Sequence, residues 1–192
     1  MSSNRGLTLP EVLISASILG LLSALCLSIY VMGFRAWTKV DAKTELMGIL
    51  QTSQDRISTE ARSSQFPSVS VVPDNSGVAF LSAGDESGRL VDAGGRILWQ
   101  EFVFFYTLPA DTNLYRTTVP YAVSDQTLLT TLEVYSGSPL SSHKVDGEIV
   151  ARNLVGFEAA MEPPDLLRIL LRAKVGEEET ELESAYRLTP QP

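Results

Sequence analysis

The chain has 192 residues, a formal net charge of −8, one cysteine and one histidine. That length suits one globular domain with an added segment, because a typical domain takes about 100–150 residues. The acidic balance supplies no field for gathering phosphates and argues against nucleic acid as a partner, while Cys26 and His143, each alone, exclude a disulfide framework and a thiolate or histidine zinc site and signal no Ser-His pair.

The first predicted element is a helix. Thr8 and Glu11 stand in the S/T-x-x-E relation of a capping box, and Pro10 falls in the first turn, where its missing N–H costs nothing. From Val12 to Phe34 no residue is charged. As a helix this run covers roughly 35 Å at 1.5 Å per residue, enough to cross the hydrocarbon core of a bilayer. A cleavable secretory signal has a shorter apolar region and a small-x-small site after it, whereas this run passes into the amphipathic stretch "FRAWTKVDAKTELMGILQ". Lipidation of Cys26 is disfavoured by the bulky Leu25 before it, so the thiol reads as a small apolar residue. The cap accounts for a helix start but not for a carboxylate at the edge of a membrane span, where an ionisable group calls for a partner of opposite charge. A cut after Gly6 would supply one, by giving Leu7 a positive α-amine within reach of Glu11 on a neighbouring copy.

The stretch "RGLTLPEVLIS" resembles the class III signal of type IV pilins and pseudopilins: a short polar leader ending in Arg5-Gly6, a large apolar residue, Thr, Leu, any residue, and glutamate at the fifth mature position. Leu7 stands where Phe or Met is commoner, and Pro10 where Ile or Leu is. The resemblance implies that the prepilin peptidase cuts between Gly6 and Leu7 and N-methylates Leu7. It gives Glu11, with Thr8 at the helix start, the assembly role. It also implies a leader at 1–6, a transmembrane helix at 7–34, its amphipathic continuation at 35–65 and a β-rich globular domain at 66–192. The N-terminus would lie inside the cytoplasmic membrane and the domain outside. The expected partners are the peptidase, other pilins or pseudopilins, an inner-membrane assembly platform and the lipid bilayer.

Beyond the span, Trp37, Val40, Met47, Leu50, Ile57 and Ala61 recur as the stripe of an amphipathic helix. The spacing predicts one helix from about Leu9 to Arg62, with Gly48 a weak point and "SSQFPS" its end. Three irregular heptads, with gaps at Thr44 and Gln54, do not favour a coiled coil, so the stripe is expected to lie under the chain's own sheet.

After Pro67 come short β-rich runs separated by turn residues, the pattern of an antiparallel meander. The expected central strand lies in "RILWQEFVFFYTL", with Phe102, Phe104 and Tyr106 on one face and Trp99, Val103 and Phe105 on the other. Folding "LLRILLRAKV" onto "TELESAYRL" about Glu177-Glu178 sets Lys174 opposite Glu181 and Arg172 opposite Glu183, and pairs Ala173 with Leu182 and Ile169 with Tyr186. The whole is an α+β, pilin-like fold. In the order of its last strands and in "ILQTSQDRISTEARSS" the chain resembles the minor pseudopilins of the J type and the minor pilins called W.

Chemistry is sparsely signalled. "DAGGRIL" lacks the Lys-Ser/Thr of a phosphate loop and reads as a hairpin turn, and "YSGSPLSS" lacks a nucleophile elbow. His143 reads as a solvated loop residue. "DNSG", "GDESG" and "VDGE" could feed a calcium site, but turn chemistry explains them without a metal. Glu177, Glu178 and Glu179 read as a solvated turn that discourages edge pairing. The expectation is a non-catalytic subunit with no cofactor and no metal. The competing reading is a single-pass membrane-anchored sensor or binding module with an uncleaved N-terminus.

Overall fold

The computed structural model describes residues 8–85, 88–89, 91, 95–123, 125–145 and 147–190. Helix α1 (Leu9–Ser63) comes first, followed by β1 (Gln65–Phe66), β2 (Ser70–Val71), β3 (Gly77–Ser82), β4 (Gly84–Asp85) and β5 (Gly88–Arg89). Then come β6 (Glu101–Thr107), β7 (Leu114–Pro120), α2 (Leu132–Ser136), a 3-10 turn (Leu140–His143), β8 (Glu148–Ala151), β9 (Leu154–Glu162), β10 (Leu166–Val175), β11 (Glu178–Arg187) and β12 (Thr189–Pro190). This is the expected α+β arrangement of a long N-terminal helix and antiparallel sheets. The chain divides into two compact units, Met1–Ala42 and Lys43–Pro192.

In the first unit the described residues are helical from Leu9 onward, and all of 8–41 are exposed, Trp37 and Val40 included. Two serine side chains in the apolar stretch are satisfied within the helix: the hydroxyls of Ser15 and Ser17 donate to the Glu11 and Leu13 carbonyls at 2.8 Å each. Back-bonding of this kind removes a donor that hydrocarbon could not satisfy.

In the second unit α1 buries Leu46, Leu50, Ser53, Ile57 and Ala61. The stripe thus runs through Leu46 rather than the expected Met47, which stays at its margin. Leu46 precedes Leu50 by four residues and Ile57 by eleven, close to whole turns at 3.6 residues per turn. Leu46, Leu50 and Ile57 are fully buried, each adding roughly 1.5–3 kcal/mol. Ser53 is tolerated among them because its hydroxyl donates to Ile49 O at 2.8 Å. Gly48 lies on the open side, where an added Cβ would meet nothing within 4 Å. The helix ends where Ser64 turns inward, its buried hydroxyl donating to Leu81 O at 3.0 Å.

Five strands form a meander in the order β2-β3-β6-β7-β8, and three more form β11-β10-β9. The central strand β6 is buried on both faces, as its composition predicts. Val103 and Phe105 share a core with the helix stripe and with Leu167, Ile169 and Leu171 of β10, while Phe102, Phe104 and Tyr106 pack with Leu132 and Leu140 on the other side. Trp99 joins this second cluster, against expectation. The strand begins only at Glu101, so strict alternation cannot be extended back to Trp99. On that side Tyr135 of α2 closes onto β7, donating to Pro120 O at 3.1 Å and accepting from Ala122 N at 3.2 Å.

The C-terminal hairpin forms with a different register. Val175 pairs with Glu178, Lys174 with Glu179, Arg172 with Glu181 and Leu171 with Leu182, a shift of two residues from the expected pairing. A two-residue turn at Gly176-Glu177 is preferred, because Gly176 takes φ +62° at the first central position without a Cβ penalty. A slip of two keeps every side chain on its expected face. Finally β12 runs parallel to β1, pairing Gln65 with Thr189 and Phe66 with Pro190, and so ties the chain's end to the residues that leave the helix.

One glycine is held by close packing. A Cβ on Gly77 would lie 2.8 Å from Phe104 Cε2 and 3.0 Å from Val72 Cγ2. Since Phe104 is fully buried, it cannot swing aside. Gly77→Ala is expected to lose about 1–3 kcal/mol, read as an earlier denaturant midpoint with an unchanged slope.

Candidate assembly site at the start of the helix

Thr8 is the N-cap of α1 and Glu11 its third residue. The Glu11 carboxylate turns back: Oε2 accepts from Thr8 N at 3.3 Å and from Thr8 Oγ1 at 3.2 Å. The Thr8 carbonyl accepts from Glu11 N at 3.0 Å and Val12 N at 3.1 Å. This is half of a capping box. The carboxylate satisfies the N-cap amide as expected, but the threonine hydroxyl donates to the carboxylate instead of accepting from the Glu11 amide. Pro10 sits between them and brings no N–H to be satisfied. Glu11 is exposed, and a carboxylate has about four lone-pair sites, so it can keep both Thr8 bonds and accept an amine as well. Gly6 and Leu7, the expected processing residues, lie outside the described residues.

The globular unit holds contacts that the sequence did not signal. His143 is half-buried rather than solvated, and its Nε2 lies 3.0 Å from Ser136 Oγ. Ser136 Oγ also donates to Ser138 O at 3.3 Å and accepts from Ser138 N at 3.2 Å, so this pair is knitted into the bend after α2. Arg116 of β7 lies 3.8 Å from both Glu60 of α1 and Glu101 of β6, joining helix to sheet with all three side chains partly buried. The only available cue was a set of opposite charges far apart in sequence, and such sets are common.

The "DNSG" stretch is a turn, as its composition suggests. Asp74 Oδ1 accepts from Ser76 N at 3.0 Å and from the Ser76 hydroxyl, and Asn75 takes φ +60°. Lys144 reaches in from a distant loop, 3.7 Å from Asp74 Oδ2 and donating to Ser76 Oγ. The Ser76 hydroxyl, then its amide and Lys144, hold the Asp74 carboxyl below its ordinary value of 3.8 against the opposing effect of burial. A group lowered in the folded state stabilises the fold above its unfolded pKa, and this contribution is lost as pH falls through the folded value. An NMR titration of Asp74 should give a midpoint below 3.8, moving upward in Ser76→Ala; an unmoved midpoint would refute the assigned cause.

Of the other acidic loops, Glu86 and Ser87 of "GDESG" and Asp146 of "VDGE" lie outside the described residues. Among the described residues no group of three or more His, Cys, Asp or Glu side chains is placed to hold a metal ion. Val91 bridges Ile97 in the antiparallel sense with Gly95 at φ +79°, as the hairpin reading of "DAGGRIL" requires, though Asp92, Ala93 and Gly94 lie outside the described residues.

By length and composition α1 is apolar enough to cross a membrane. No curated protein and no solved structure matches the chain. Residues 1–27 match the family model of the prokaryotic N-terminal methylation motif. The motif, running directly into the apolar part of α1, indicates a prepilin-peptidase substrate like the type IV pilins and pseudopilins, and a helix of this length and composition fits a membrane anchor.

Proposed function

We propose that the protein is a minor pilin or pseudopilin of a type IV pilus or type II secretion system, assembled into a filament or at its tip. The observation that carries this reading is the methylation motif at residues 1–27, continuous with a helix that extends to Ser63 and into the globular unit. The order of the last strands and the end of the helix favour a J-type or W-type minor subunit. On this reading residues 1–6 are a leader on the cytoplasmic side, the apolar part of α1 holds the subunit in the membrane, and the β-rich domain lies outside. The subunit is a substrate of the peptidase and itself performs no catalysis. Its partners are sister pilins and the assembly platform.

Glu11 then has two successive roles. In the single chain it caps the helix through Thr8. In the filament its carboxylate faces the N-methylated amine of Leu7 on the adjacent subunit. Withdrawing two charges from water costs several kcal/mol per ion unless they are paired, so the pair sets the register between subunits and penalises a subunit that stops elsewhere. Intact mass and N-terminal sequencing of protein from its native membrane provide the test. The expected chain begins with N-methylated Leu7. A chain that keeps residues 1–6 would leave Glu11 as a helix cap and the protein as a membrane-anchored sensor or binding module.

A further inference from the structure

We propose that the outer edge of β11 is a strand-addition site for an extended segment of a different protein, one carrying lysine or arginine at alternate positions. In the sheet β11-β10-β9 this strand is last in the order and pairs with β10 alone among the described residues. Its ten pairs with β10 run without a register shift, whereas β9 breaks register against β10 at Arg172/Ala173. No proline interrupts Glu178–Arg187. Thus the length, regularity and sequence of β11 omit the devices that normally blunt a sheet edge: a bulge, a proline or a very short strand. Beside its second half a groove of about 460 Å³ lies between Gln54, Ala61 and Arg62 of α1 and residues 183–187, leaving space along the strand.

What protects this edge is charge, and charge also selects the occupant. Glu179, Glu181 and Glu183 are exposed on one face of β11, and its basic residue, Arg187, stands at the far end. Glu181 lies 3.6 Å from Arg172 and Glu183 lies 3.2 Å from Arg168, both held from the β10 side. Each carboxylate retains lone-pair capacity for a second cation approaching from the open side. A second copy of this chain would set glutamates against glutamates, and like charges directly opposite oppose pairing. A strand with cations at alternate positions would place them on the glutamate face while its backbone completes the ladder. This inference rests on the globular unit and does not depend on N-terminal processing.

The test uses the full chain in nonionic detergent and a fluorescent ten-residue peptide alternating lysine with valine and threonine. The expected result is saturable binding with slowed hydrogen exchange at alternate amides of Glu178–Arg187. Affinity should fall at least tenfold when alternate peptide amides are N-methylated, and again in the Glu179→Lys variant. Several results would overturn the proposal: no binding, equal binding of the N-methylated peptide, equal binding of a peptide with glutamate for lysine, or protection away from β11. Concentration-dependent protection of β11 without peptide would also overturn it, by making a second copy the occupant.

Discussion

Replacing Glu11 by alanine is expected to leave a protein that is cut after Gly6 and folds normally, yet reaches filaments at least tenfold less well. The globular unit does not depend on this side chain, because the described contacts of its carboxylate are with Thr8. Losing a capping contact costs about 0.5–2 kcal/mol of local helix stability, too little to unfold a domain held by its own core. Losing the carboxylate in the assembled state is different, since the amine of the neighbouring Leu7 would then be withdrawn from water without a counter-charge, at a cost of about 3–5 kcal/mol. The measurement is the ratio of filament-bound to membrane-bound protein by quantitative immunoblot, with N-terminal sequencing to establish cleavage. Glu11→Gln separates the roles further, because a neutral amide can still accept a bond from Thr8 but carries no charge. Normal incorporation of Glu11→Gln would refute the ion pair and leave capping as the whole role.

The second large effect is expected at Phe105. This ring is fully buried and meets Phe80 edge to face at 6.2 Å, within the core that joins the helix stripe to β10. Phe105→Ala removes both the transfer free energy of the ring and the contacts around the space it leaves, about 3–5 kcal/mol in all. Typical domains have only about 5–15 kcal/mol to lose. The variant should therefore show a much lower denaturant midpoint and reduced near-ultraviolet circular dichroism at physiological temperature. Val134→Ala, at a position 75 % exposed, serves as the control and should be near neutral. A loss below about 1 kcal/mol for Phe105→Ala would mean that the helix is not seated on this core.

Local signals were read well from the sequence. The helix start was legible because Thr8 and Glu11 lie three residues apart, and its end because Pro67 bars helix in the residue before it. Burial of β6 on both faces was legible because six successive residues in "FVFFYT" include four aromatics. The hairpin register was not: side-chain pairing scores a slip of two almost equally among "EEETELE", and the decision falls to the backbone of Gly176, whose φ +62° favours the shorter turn. Contacts such as Lys144 to Ser76, 68 residues apart, depend on tertiary packing that no local pattern encodes. For the assembly site, the cap was visible because both partners belong to one chain; the proposed pairing with a neighbour's Leu7 is a property of two chains.

Gly48 bears on the mechanics of the molecule. It lies off the buried stripe of α1, on the open side, with nothing within 4 Å of where a Cβ would stand, so no packing demand keeps it a glycine. Alanine there would stiffen the helix by about 1 kcal/mol. The chain instead keeps this weak helix former a few residues inside the globular unit, which begins at Lys43. Leu46 and Leu50, fully buried on either side of it, pin the helix across this position, so the rigidity that a glycine gives up in helix propensity is restored by the core rather than by the helix itself.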